Sequence, residues 1–235
     1  MIEGRKAALL EAVVSEHIRT AEPVGSKFLV GKYGLKVSPA TLRNDMSALE
    51  KEGYLVQPHT SAGRVPTVKA YRYYVQHCVG EKSPTKKNRT VMEEQCAKAE
   101  PDDRRVVKEL AKTVADLAHE AILVGFASDE VYYTGLSYLF AQPEFLDPEL
   151  AVSMANGLDR LSDVMQTLLA NATDDLTVAI GDENPFGEDT SVIFVRYGKD
   201  AGNIFGILGP TRMHYAENIA LAKYVREVIK KHFYG

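Results

Sequence analysis

The stretch Ser38-Pro39-Ala40-Thr41-Leu42-Arg43-Asn44-Asp45-Met46-Ser47-Ala48-Leu49-Glu50-Lys51-Glu52-Gly53 decides how the first third of this chain folds. A serine at the N-cap accepts a hydrogen bond from a free helical N–H, a proline at the first helical position brings a preset φ, and a glycine past the end takes the left-handed turn. Ser38, Pro39 and Gly53 hold those three places. Between them Leu42, Met46 and Leu49 recur at i, i+4 and i+7, which makes one buried stripe. Thr41, Arg43, Asn44 and Ser47 fall off the stripe and face outward.

Upstream, Leu9, Leu10, Val13, Val14 and Ile18 mark an amphipathic helix from about Glu3 to Thr20, ended by Pro23 and Gly25. Ser26 is expected to cap a short second helix through Phe28, Leu29 and Tyr33, closed by Gly34. Downstream come a strand at Tyr54–Gln57, a polar loop from Pro58 to Arg64, then Val65 and Pro66. Thr67 is expected to cap a fourth helix holding Tyr71, Tyr74, Val75 and Cys78. Three helices, a hairpin with a long polar tip and a return helix make a winged helix-turn-helix over residues 1–79.

A helix fits the DNA major groove, where its first turns reach base edges. Arg43 suits a bidentate pair with guanine and Asn44 one with adenine, while Thr41 and Ser47 can meet a phosphate or a thymine methyl. The free N–H groups at the helix start by Ser38 favour a phosphate. His59, Thr60, Ser61 and Arg64 on the wing suit the backbone or the minor groove, and Lys27, Lys36 and Lys69 suit phosphates. The alternative is a winged module that packs on protein; its charge bears on the choice. Residues 1–90 hold 15 Lys and Arg against 8 Asp and Glu, and residues 91–235 hold 13 against 24, so a net +7 and a net −11 make up the chain's −4. A basic N-terminal third favours a polyanion partner.

At 235 residues, 45% hydrophobic and 26% charged, the chain has an ordinary globular composition. No apolar run approaches the roughly 18–20 residues of a membrane span. Glu11, Glu16 and His17 break up any signal-peptide layout, and Cys78 and Cys96 are too few and too far apart for a disulfide framework or a metal knuckle. A reducing cytoplasm is the expected setting, with no membrane contact.

Residues 80–103 are polar, flanked by Pro84 and Pro101, and read as a linker, partly helical at most. Residues 104–235 then read as a second α+β domain. Val106, Val107, Leu110, Ala111, Val114, Leu117 and Ala118 form a helical stripe, and Ile122–Ala127 with Val131–Thr134 form a hairpin about Ser128-Asp129-Glu130. A long helix is expected from Asp147-Pro148 through Leu168, then strands at Leu176–Ile180, Ser191–Tyr197 and Asn203–Leu208. The loop 198–202 joins the last two, and a final helix covers about Ala216–Phe233.

Weaker constellations have plainer readings beside them. Asp182, Glu183, Glu188 and Asp189 suit either a metal or, more simply, a solvated acidic loop. Arg212 suits an anion at a helix start or, more simply, a packed helix-entry turn. Tyr71, Tyr73 and Tyr74 read as helix packing rather than a base-stacking platform. No catalytic triad, P-loop or dinucleotide fingerprint occurs, and neither enzyme chemistry nor a cofactor is expected.

Several motifs in order carry a resemblance. They are 21–27 (AEPVGSK), 38–46 (SPATLRNDM), 57–67 (QPHTSAGRVPT), 71–75 (YRYYV), 142–145 (QPEF), 180–184 (IGDEN) and 209–215 (GPTRMHY). Together they resemble HrcA, the bacterial heat-inducible transcription repressor family, over nearly the whole chain. The resemblance implies a homodimeric repressor bound to an inverted-repeat (CIRCE) operator upstream of chaperone operons. It also implies a GAF-like C-terminal domain, the GroE chaperonin as a partner, Ser38–Glu52 as recognition helix and His59–Arg64 as wing tip. The chain departs from the family in one place. Ala121–Ala127 runs through Ser128-Asp129-Glu130 straight into Val131, with no room for the inserted dimerising domain, so the GAF-like half is reduced. The exposed sides of the helices at 104–120 and 216–233 are then the candidate dimer surfaces. Two other classes stay open: a winged-helix regulator that senses a small molecule through the GAF-like half, and an interaction module docking on an acidic protein.

Overall fold

The apolar face between Glu3 and Thr20 becomes helix α1 (Gly4–Thr20) in the computed structural model, which describes residues 2–33, 37–60, 62–98, 103–127, 130–171, 176–198 and 202–234. Leu9, Leu10, Val13 and Val14 are fully buried along it. The chain turns through Ala21 (φ 59°) into α2 (Ser26–Tyr33), and α3 (Pro39–Lys51) follows. Ser38 Oγ accepts from Thr41 N at 3.1 Å, and Gly53 past the end has φ +78°. Gly34, Lys36 and Ser61 lie outside the described residues.

The expected strand at Tyr54–Gln57 shortens to β1 (Leu55–Val56), which pairs antiparallel with β2 (Val65–Pro66). Thr67 precedes α4 (Val68–His77) without capping it. Its hydroxyl instead lies 2.8 Å from Gly53 O and 3.1 Å from Tyr54 O, tying the end of α3 to the start of α4. Tyr71 is buried on α4 with its hydroxyl 2.7 Å from His17 Nδ1, and Tyr73 meets the Tyr54 ring edge-on at 5.9 Å. Ion pairs bind the helices to each other: Arg5–Asp45 and Lys6–Glu52, each 2.7 Å, link α1 to α3. Buried Glu16 takes Arg19, Lys32 and the Tyr33 hydroxyl, which links α1 to α2. Arg19 above all holds the Glu16 carboxyl down to about 2, against the opposing effect of burial.

These elements form one unit, Met1–Gly80, and the second is Glu81–Gly235. The residue count places 11 Lys and Arg against 7 Asp and Glu in 1–80, so the charge of this unit is +4. The remaining basic residues of the first ninety belong to the second unit.

The linker expected at 80–103 is replaced over much of its length by α5 (Lys86–Lys98), on which Met92 and Cys96 are buried. It packs on α6 (Asp103–Ala118) and on α10 (Tyr215–Tyr234). Two buried residues on an otherwise polar helix leave little periodic signal, so tertiary packing rather than pattern makes this helix.

The second unit holds a five-stranded antiparallel sheet in the order β4 (Val131–Thr134), β3 (Ala121–Gly125), β7 (Asn203–Pro210), β6 (Thr190–Tyr197), β5 (Leu176–Ile180). Alternate side chains serve two faces. Leu123, Val192, Phe194, Ile204 and Leu208 meet Met154, Met165 and Leu168, and α5, α6 and α10 lie on the other side. The expected long helix is two, α8 (Pro148–Asp159) and α9 (Leu161–Asn171), broken at Arg160, whose φ −109° and ψ 28° are not helical. The break lets Met154 and Met165 share one core. A short helix, α7 (Leu136–Phe140), was not expected. The turn residues Ser128 and Asp129, and residues 199–201, lie outside the described residues.

Side chains pin two loops of the second unit. Arg212 pairs with both oxygens of Glu144, at 2.5 and 3.0 Å, and with Gln142 Oε1 at 2.8 Å. Asn184 donates to Gly181 O, Gly187 O and Thr190 O, and accepts from Phe186 N, pinning the loop before β6. Among the described residues no group of three His, Cys, Asp or Glu could hold a metal, and no helix is long and apolar enough to cross a membrane.

Candidate nucleic-acid interface

Helix α3 buries Leu42, Met46 and Leu49 and turns Arg43 and Asn44 into solvent. Its acidic residues are spent on the protein: Asp45 on Arg5, Glu52 on Lys6, and Glu50 on Arg64. The outward face is therefore left to Thr41, Arg43, Asn44 and Ser47. The side chains of Arg43 and Asn44 make no hydrogen bond or ion pair among the described residues.

Next to this face lies a groove of about 450 Å³ bounded by the start of α2, by α3 and by the hairpin. Lys27, Arg43, Ser47, Thr60 and Arg64 line it, with Met46 also in its wall. Five of the residues picked out by chemistry alone thus share one surface, although they span nearly forty positions of sequence.

Not all candidates stand on that surface as free groups. Ser38 caps α3 and shares a hydrogen bond with Thr41 Oγ1 at 2.9 Å. Arg64 Nε and Nη2 each lie 3.0 Å from Glu50 Oε2, and the Arg64 side chain is 15% exposed. Lys69 donates to Glu52 O at 2.9 Å and stands 4.3 Å from the Tyr54 ring centroid, at the far end of α3 and away from the groove. Arg64 ties the hairpin to α3, and Lys69 ties α4 to the end of α3. Charge alone cannot separate such a role from phosphate contact.

Three residues escaped the sequence reading. Gln57 Nε2 donates to Thr60 O and Ala62 O, each 3.0 Å away, and so folds the tip that exposes His59 and Thr60. Val24 and Arg64 exchange two backbone hydrogen bonds of 2.9 Å, adding a third rung beside the hairpin. Gly63 permits that approach, since a Cβ there would lie 2.4 Å from Val24 O. The only sequence signal was Gly63 itself, in a loop where glycine has many uses.

The family model for the HrcA protein C terminal domain matches residues 67–219, well over half of the chain. The heat-inducible transcription repressor HrcA of Halalkalibacterium halodurans is 26% identical over 336 aligned positions, covering 98% of this chain and 97% of that one. With 235 residues here, at least 101 of those positions face gaps in this chain. The HrcA repressor of Acidothermus cellulolyticus is 46% identical over 127 residues, 54% of this chain but 37% of that relative's length. Among solved structures, a crystal structure described only as a hypothetical protein superposes with a TM-score of 0.78 at 18% identity, covering 99% of both chains. That likeness concerns the fold alone. By the family match along residues 67–219, this chain belongs to the HrcA family.

Proposed function

We propose that the chain represses transcription of heat-shock operons by binding double-stranded DNA, with its first unit acting as a winged helix-turn-helix. Helix α3 is the recognition helix and the β1–β2 hairpin the wing. The observation that carries this reading is the pair Arg43 and Asn44, exposed and unengaged on α3 beside the groove that Lys27 and Thr60 also line. A bidentate base contact needs a guanidinium or amide whose donors are not already spent.

On this reading Arg43 takes guanine and Asn44 adenine, with Thr41 and Ser47 on a neighbouring methyl or phosphate. Lys27 and Lys36 take phosphates, and His59, Thr60 and Ser61 reach the backbone or minor groove. Ser38, Arg64 and Lys69 support the surface. The second unit is a reduced GAF-like domain that dimerises the chain and regulates binding. Two recognition helices related by a two-fold axis read an inverted repeat of CIRCE type. The GroE chaperonin, implied by the family resemblance, is the proposed partner that favours the DNA-binding form.

A mobility-shift titration tests the reading, using a duplex with the family's inverted repeat against a scrambled duplex of equal composition, at growth temperature and after heating. Preference for the repeat, lost on heating, supports it. Equal weak binding to both removes the inherited operator, and no binding at low salt removes the DNA-binding reading itself.

A further inference from the structure

Strand β5 is an edge of the five-stranded sheet, hydrogen-bonded along one side to β6 and to no other strand among the described residues. An open edge offers unpaired backbone donors and acceptors, and proteins normally cover or blunt it. Here it is flanked on both faces by concavities. On the α10 face a groove of about 330 Å³ has Leu176 and Val195 as its apolar wall and Lys223, Arg226 and Lys230 along its rim. On the α9 face a second groove, of about 380 Å³, is lined by Leu168, Thr177, Phe194 and Asn184 among others.

We infer that the β5 edge is a docking site for an extended acidic segment of a partner protein, which adds as a sixth strand. Main-chain pairing gives such an interaction its affinity, and alternate side chains entering pockets on the two faces give its specificity. Lys223, Arg226 and Lys230 follow one another at i, i+3 and i+7 along one line of α10, with Lys223 and Lys230 exposed. Glu227 is the single carboxylate lining that groove, so its charge is net positive. Every second residue of the added strand therefore carries a carboxylate facing α10.

The residues between them face α9. There Thr177 Oγ1 is buried without a hydrogen-bond partner among the described residues, next to Leu168 and Phe194. A buried hydroxyl left unpaired costs free energy that a partner's Ser or Thr would recover. Small apolar or hydroxyl-bearing residues thus suit this face.

Charge decides between this occupant and a second copy of the chain. Two β5 strands paired antiparallel about a two-fold axis normal to the sheet would keep both α10 helices on one face. Lys223, Arg226 and Lys230 of each copy would then approach their equivalents, and like charges oppose that arrangement.

The test uses the full-length, nitrogen-15-labelled protein and a capped synthetic peptide, Glu-Thr-Glu-Val-Glu-Thr-Glu. Controls are the same peptide with every Glu replaced by Lys, and the acidic peptide N-methylated at alternate amides. The expected result is saturable binding of the acidic peptide alone, with amide shifts centred on residues 176–180. The double variant Lys223→Glu, Lys230→Glu, its folding checked by an unchanged unfolding midpoint, should weaken binding about tenfold. Equal binding of the Glu and Lys peptides overturns the inference, as do shifts that spare 176–180 or no binding at millimolar peptide. Self-association that is strengthened by the charge reversal overturns it in favour of a second copy.

Discussion

Arg64, which flanks the hairpin, and Glu50 of α3 form a pair in which Nε and Nη2 each lie 3.0 Å from the same carboxylate oxygen. The pair joins the proposed wing to the proposed recognition helix. Glu50→Gln separates its two readings, because it removes a negative charge from the face and with it the ion pair. If Arg64 only met phosphate, the variant would bind every duplex more tightly. A positioning role predicts instead that preference for the inverted repeat over the scrambled duplex falls about threefold to tenfold, read by competition mobility shift.

Arg43→Ala should cost roughly 1–3 kcal/mol on the inverted repeat and relax selectivity at one base position. The exposed Arg43 side chain makes no hydrogen bond or ion pair among the described residues, so the unfolding midpoint should stay in place. Lys27→Ala, by contrast, should weaken both duplexes alike and reduce the salt slope by about one. A uniform loss for Arg43→Ala would remove its base-reading role.

Gly63→Ala tests the third rung. A Cβ 2.4 Å from Val24 O forces the two segments apart, at a cost of roughly 1–3 kcal/mol. The amides of Val24 and Arg64, each bonded to the other's carbonyl, should lose hydrogen-exchange protection first. Retained protection would show that the bridge is not what the glycine serves.

The two units should respond to pH in opposite senses. Glu120 is buried, and its burial lifts the carboxyl to about 8, with Arg212 opposing and Glu144 adding to the rise. A raised carboxyl favours the folded state below the ordinary value of 4.5, and that advantage disappears as pH climbs towards 8. Glu120→Gln should flatten this loss, roughly 2–4 kcal/mol, in urea titrations of the second unit between pH 5 and 9.

In the first unit Glu16 is held near 2, so its contribution is complete above 4.5 and lost as pH falls towards 2. Glu16→Gln should cost about 1–2 kcal/mol at pH 7, since Arg19 and Lys32 keep part of their charge in water. That cost should vanish at the acid end. A deficit that persists at pH 2 would assign it to packing instead.

What could be read from the sequence was local. Ser38, Pro39 and Gly53 act within a few residues of themselves, so the bounds of α3 were accessible, as was the outward placing of Arg43 and Asn44. The strands of the second unit announced themselves through runs of β-branched and aromatic residues. What escaped depends on partners far along the chain. Nothing near Val24 says that it pairs with Arg64, and nothing near Arg64 or Lys69 says that Glu50 and a Glu52 carbonyl hold them. Helix α5 escaped because, among its described residues, Met92 and Cys96 alone are buried, too few to set a period. The break at Arg160 escaped because both halves of the apolar run, Leu150 to Leu158 and Leu161 to Leu168, fit one helix equally well.

The contact between Glu120 and Gly209 couples what these two positions can hold. A Cβ at 209 would lie 2.3 Å from Glu120 Oε2, so a side chain there requires the carboxylate to move. A lineage that shortens Glu120 frees position 209 to accept a side chain, whereas one that replaces Gly209 first obliges the Glu120 carboxylate to swing aside. Substitutions at the two sites should therefore not add independently.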